Sequence, residues 1–302
     1  MVRLQTPPQI MSGHEAAIYS LCLWEGGVLS GGGDGWIVHW EPGRSVHGQL
    51  LAKIDDRVFC LLPVNPPGLS AKLVAGTLSG DLYWIDPDQA DAPRRWRLHQ
   101  DGIYDLHANG SLLYVAGGKG RLSSWDVSTG ELNQVVQLDT VRLRSISYLE
   151  IPGLLAVGTA NGDIHLVEPQ QLRIVQTLPI AHERTVFSLV DGGTCFYSAG
   201  RDGAIRAWST AAPFGQLAHV AAHAATVNQL GLQGGTLFSV GRDRELRTWS
   251  TGQEPTMLHL AKVYTAIRDG GHVASINACC LMPDGIVTAG DDRTLRWWPV
   301  LA

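Results

Sequence analysis

The sequence predicts an all-β fold: a seven-bladed β-propeller of four-stranded antiparallel blades, with residues 1–302 forming one domain. Three observations predict it. A unit built from two short apolar runs recurs seven times, equivalent positions lie 40–49 residues apart, and apolar and polar residues alternate with period two inside the unit. A spacing of about 40–45 residues suits one four-stranded blade.

Taken in chain order, the second apolar run of each unit ends in a polar or glycine-bearing turn. These runs read VLSGGGDG (28–35), LVAGTLSG (73–80), YVAGGKGR (114–121), LAVGTANG (155–162), YSAGRDGA (197–204), FSVGRDRE (238–245) and VTAGDDRT (287–294). Each unit then closes on a large apolar residue: Trp40, Ile85, Trp125, Val167, Trp208, Trp249 and Trp298, with gaps of 45, 40, 42, 41, 41 and 49 residues. Strand is the local reading, because stretches such as Ala204-Ile205-Arg206-Ala207-Trp208 trade apolar and polar positions and are bounded by Gly, Asp and Asn. A single blade leaves both faces bare. Arranged radially, each sheet covers its neighbour and only short outer edges stay open.

The two ends complete the ring. Only four residues follow Trp298, too few for a fourth strand, whereas residues 1–13 lie where the other units carry theirs. The N-terminal strand is therefore expected to complete the last blade. Pro7-Pro8 is tolerable there because this strand forms an outer edge.

Composition narrows the function classes. The net charge is −5, with no basic tract, which argues against a nucleic-acid partner. No run of eighteen apolar residues occurs and no secretory leader is seen, so no membrane insertion is expected. Five cysteines (Cys22, Cys60, Cys195, Cys279 and Cys280) are odd in number and form no C-x-x-C pair. That argues against disulfides or zinc, suits a reducing compartment, and makes the cytoplasm the expected location. Asn109-Gly110-Ser111 is read as a turn. Gly31-Gly32-Gly33 lacks the Lys-Ser/Thr and helix of a phosphate loop and recurs in weaker form in every unit. No metal or cofactor is called for.

A sharper pattern lies inside the units. His14, Ser30, Asp34 and Trp40 are spaced by sixteen, four and six residues. The same spacing recurs as His182, Ser198, Asp202, Trp208, as His223, Ser239, Asp243, Trp249, and as His272, Thr288, Asp292, Trp298. Over essentially the whole sequence this resembles the WD-repeat family. The resemblance implies that the four side chains hydrogen-bond in series across a blade. Ser, His and Asp also make catalytic triads. A triad occurs once per site, however, whereas this set occurs four times and always with a tryptophan, so it is read as structural and no catalytic residue is assigned. Unit three keeps His99 and Trp125 but has Val115 and Lys119 at the hydroxyl and carboxylate positions. Unit two has Ala75, Ser79 and Ile85, and unit four Val157, Asn161 and Val167. Blades two to four are expected to rely on apolar packing and to be the softer part of the ring.

The resemblance further implies a non-enzymatic scaffold whose partners bind the narrower face, at the start of each innermost strand and beside the tetrad Asp. The inner-strand positions are Tyr19, Phe59, Tyr104, Arg144, Phe187, Asn228 and Asn277. Two residues earlier stand Ala17, Arg57, Gly102, Arg142, Thr185, Thr226 and Ser275; before the tetrad Asp stand Gly33, Leu78, Gly118, Ala160, Arg201, Arg242 and Asp291. The aromatics and arginines among these resemble interface anchors, and the arginines suit an acidic or phosphorylated peptide. The alternatives are an enzyme in the central channel and a nucleic-acid or ribosome-associated assembly factor. The expected state is a monomeric propeller or a subunit of a larger complex. The connection from Thr251 to Ser275 is the main insertion, read equally as a functional loop or as padding.

Overall fold

The computed structural model describes residues 2–88, 93–252 and 258–301; part of the long connection, 253–257, lies outside the described residues. Seven four-stranded antiparallel sheets account for nearly all of the regular secondary structure, and the described residues include only one single-turn α-helix, Ala266–Asp269. In each of the first six sheets the strands follow sequence order. In blade one, for example, Ile18–Trp24 is innermost, then come Gly27–Gly32, Trp36–Trp40 and Gln49–Lys53. In blade seven, Ile276–Met282, Gly285–Gly290 and Thr294–Pro299 are joined on the outside by the N-terminal strand Gln9–Ser12. That strand pairs Gln9 with Trp297 and Ser12 with Thr294, and a bridge between Leu4 and Val300 extends the closure. The expected ring closure is what the fold shows.

Seven apolar clusters explain why the ring holds, each drawn from two neighbouring blades. Second strands are buried on both sides because they sit mid-sheet between two other blades. Their side chains alternate between interfaces, as strand geometry requires. In blade seven Ile286 faces the blade-six cluster, while Val287 and Ala289 face blade one. Blade one repeats this, with Val28 turned to blade seven and Leu29 to blade two. Outer strands carry weaker patterns. Arg94–Arg97 is exposed along its whole length.

All five cysteines are free and buried. Burial pushes the Cys280 thiol up to about 12. No helix among the described residues is long and apolar enough to cross a membrane.

Candidate functional site at the channel mouth

Two sets of residues shape the end of the ring where the blades are joined: the polar struts inside the blades and the side chains around the central channel.

The struts begin with the indole N–H, a donor only. In blade one Trp40 donates to Ser30 Oγ at 2.8 Å, and Ser30 Oγ lies 2.6 Å from His14 Nε2. With its oxygen taken by the indole, the hydroxyl turns its proton to Nε2. The ring proton is thereby left on Nδ1, which donates to Asp34 at 2.9 Å. Asp34 also accepts from the backbone N–H of Glu15 and Trp36, so it ties the incoming loop to the turn before the third strand. Blades five and six repeat the series through Ser198 and Ser239, and blade seven through Thr288, with every corresponding distance between 2.7 and 2.9 Å. Burial lowers the pKa values of His14, His182 and His272 and keeps these rings neutral. Burial also works to raise Asp34, but backbone and histidine hydrogen bonds outweigh it and hold the carboxyl below the usual range. Asp202, Asp243 and Asp292 are held low in the same way.

Blades two to four depart from the expectation of purely apolar packing. In blade three the hydroxyl comes from Ser123, which lies directly across the ladder from Val115. Ser123 Oγ accepts from Trp125 Nε1 and lies 2.9 Å from His99 Nε2. The hydroxyl has crossed to the next strand, and only the carboxylate is missing. In blade four the equivalent cross-strand position, opposite Val157, is His165, which bridges Thr177 at 2.9 Å and Asp139 at 2.8 Å. In blade two the buried Asp81 accepts from Arg97 Nε at 2.9 Å and also pairs with Arg95. Each of these blades thus has a polar link of its own kind. His223, Asp243 and Glu245 bring donor atoms within 4.8 Å of one another, as a metal site would. Their lone pairs face a different task, since His223 bonds Asp243 and Glu245 receives the Arg247 guanidinium.

The channel mouth is ordered by two features that recur in all seven blades. The first is a backbone bond. The N–H groups of Gly33, Leu78, Gly118, Ala160, Arg201, Arg242 and Asp291 donate to the carbonyls of Ala17, Arg57, Gly102, Arg142, Thr185, Thr226 and Ser275. The second is a β-bulge in each innermost strand, at Tyr19, Phe59, Tyr104, Arg144, Phe187, Asn228 and Asn277. A bulge leaves one residue unpaired and re-aims its side chain. All seven bulged side chains accordingly line one central cavity of about 270 Å³.

Around the mouth these side chains form two unequal arcs. The rings of Tyr19 and Phe59 lie tilted 4.8 Å apart and those of Phe59 and Tyr104 5.9 Å apart, and the Arg144 guanidinium sits over Tyr104 and Phe187 at 4.0 and 5.0 Å. The other arc is amide. Asn228 donates to Ile276 O at 2.8 Å, and Asn277 donates to Ile18 O and to Asp291. Arg57, Arg142, Arg201, Arg242 and Asp291 are exposed on the rim.

Sequence reasoning missed the residues just after the bulges. The innermost strand is an edge facing the channel, so its outward N–H groups need partners. Asp105 accepts from Ile146 N, Ser188 from Leu230 N and Gln229 from Cys279 N, each reaching into the next blade. Further along the strand, His107 accepts from Tyr148 N. The available signal was a polar residue recurring at one place in an otherwise apolar strand.

With this geometry in hand, comparisons with known proteins define the class. A family model described as "WD domain, G-beta repeat" matches residues 263–299, the stretch that ends blade seven. The WD40 β-propeller domain of Doa1 superposes with a TM-score of 0.83 at 18% identity, covering 99% of this protein and 97% of that one. A subunit of the Mitotic Checkpoint Complex gives 0.82 at 17%, covering 99% and 97%. The computationally designed Ika8 protein gives 0.69 at 18%, covering 96% and 98%. No curated protein sequence matches this one. The fold is that of a WD40 β-propeller. Its last blade carries a WD repeat, which bears out the resemblance drawn from the tetrads.

Proposed function

We propose that this protein is a non-enzymatic scaffold, with residues 1–302 acting as one domain, which holds a protein or peptide partner over the channel mouth. The observation that carries this reading is the continuous arc Tyr19–Phe59–Tyr104–Arg144–Phe187, flanked by the exposed Arg57, Arg142, Arg201 and Arg242. Aromatic and arginine side chains dominate interface energies, and each anchor removed costs about 2 kcal/mol or more. Four rim guanidiniums favour an acidic or phosphorylated segment, since each can bind a carboxylate or phosphate through two parallel bonds. The protein as a whole is acidic, at −5, so this attraction is local to the mouth.

An enzyme in the channel would draw on Asp105 and His107. Both are committed to backbone N–H groups of blade four, which leaves them a poor acid–base pair and supports the scaffold reading. The five buried thiols fit a reducing compartment, and we propose the cytoplasm.

The test uses rim residues whose replacement leaves the core alone. Arg57→Glu, Arg201→Glu and Arg242→Glu are combined, and the partners retained from a cell extract are compared with those of the wild type. The triple variant is expected to lose the specific partners while keeping its thermal midpoint. Equal recovery by both proteins would remove the mouth as the site.

A further inference from the structure

One group at the mouth has chemistry that the protein itself leaves unanswered. A guanidinium carries five N–H donors and no acceptor. At Arg144 the rings of Tyr104 and Phe187 cover the guanidinium, and Nε is buried with no hydrogen-bond partner among the described residues. The adjacent carboxyl does not answer it. Asp105 gives its two oxygens to the backbone N–H groups of Leu106 and Ile146, at 2.9 and 2.8 Å, and burial pushes it up to about 7. Arg142 adds a second positive charge close by. Burial lowers the pKa of Arg144 itself, against the opposing pull of Tyr104 and of the Asp105 carboxyl. A buried N–H donor without a partner costs free energy, so the unpaired Nε calls for a ligand at this guanidinium.

We propose that Arg144 anchors a carboxylate-binding site at the channel mouth, which takes an acidic side chain or the terminal carboxylate of a bound peptide. Two observations select a carboxylate. Tyr104 and Phe187 lie against the guanidinium, whose paired in-plane donors match a flat, two-oxygen group. The amide N–H groups of Asn228 and Asn277 are already held by backbone carbonyls. The mouth therefore offers one planar cation inside the channel rather than the several converging donors that a tetrahedral dianion would use.

This inference rests on the scaffold reading, and its test separates the two. Purified full-length protein is passed over four immobilised pools of acetylated hexapeptides whose random positions exclude Asp and Glu. One pool has a central Glu and an amidated end, one a central Gln and a free C-terminus, one a central phosphoserine and an amidated end, and one a central Gln and an amidated end. Wild type is expected to bind one carboxylate pool roughly tenfold or more above the uncharged pool, and the pool it chooses identifies the source of the carboxylate. Arg144→Met is expected to lose that excess with a thermal midpoint equal to or above the wild type. Absence of any carboxylate preference, preference for phosphoserine alone, or an excess that survives Arg144→Met would overturn the proposal. So would midpoints lowered in both Arg144→Met and Arg144→Gln, which would make the side chain a strut. Loss of partners in the triple rim variant with no carboxylate preference in the pools would leave the scaffold standing without this anchor.

Discussion

Ser123 shows how a side chain's role depends on its neighbour across the ladder rather than on its place along the strand. Four tetrads were legible because the sixteen, four and six spacing lies within one stretch of sequence. The blade-three hydroxyl was not legible, because aligning units by position compares Val115 with Ser30 and never inspects the residue opposite. Ser123→Ala should leave the Trp125 indole and His99 without their shared oxygen and cost about 1–3 kcal/mol in chemical denaturation. Moving the hydroxyl back, with Val115→Ser and Ser123→Val together, should recover most of that loss. The histidines set the response to acid. Burial lowers His99 and His107 to about 4, below the ordinary value of 6.5, so between these pH values the unfolded protein takes up protons that the folded protein refuses. For each such histidine, stability falls by about 1.4 kcal/mol per pH unit as the solution is acidified across that window. Asp105, raised to about 7, works the other way over the same range, but it is one group against at least two. The thermal midpoint is therefore expected to be flat from pH 8 to 7 and to fall from pH 6.5 to 4, with a shallower fall in His99→Gln and His107→Gln.

At the scale of the strand, legibility tracked burial. Second strands announced themselves because both faces are covered and the sequence must be apolar throughout, as in Gly285–Gly290. Outer strands such as Arg94–Arg97 and Leu132–Gln137 are largely exposed, so nothing obliges them to alternate cleanly. The bulges were invisible for a further reason, since each adds one residue without interrupting its strand. The N-terminal strand is legible only by elimination, yet its hold is physical. Met11 and Leu4 are almost fully buried, Met11 in the cluster between blades seven and one, and Leu4 in that between six and seven. Truncating a buried methionine to alanine typically costs about 2–5 kcal/mol. Met11→Ala is expected to fall in that range by denaturant titration, whereas Ile10→Ala, at a position 52% exposed, should change little.

Across the whole molecule the ring is uniform in backbone and uneven in chemistry. The same bulge and the same backbone bond recur in seven blades, yet aromatics and a cation fill one arc of the mouth and amides the other. The architecture could be read from periodicity because every blade must pack against two others. The mouth could be read only as positions, since the packing of the ring does not dictate what fills them.

The pairing of Gln9–Ser12 with Thr294–Pro299 also bears on how the protein is made. Gln9–Ser12 is synthesised long before Thr294–Pro299, the strand it pairs with. Until then the seventh sheet is incomplete and the N-terminal strand is without its partner. Contacts so distant in sequence slow folding, and open edges invite association with other molecules. A circular permutant that carries residues 1–13 after residue 302 would turn this last pairing into a local hairpin. It is expected to refold faster than the parent and to aggregate less during refolding, with little change in equilibrium stability.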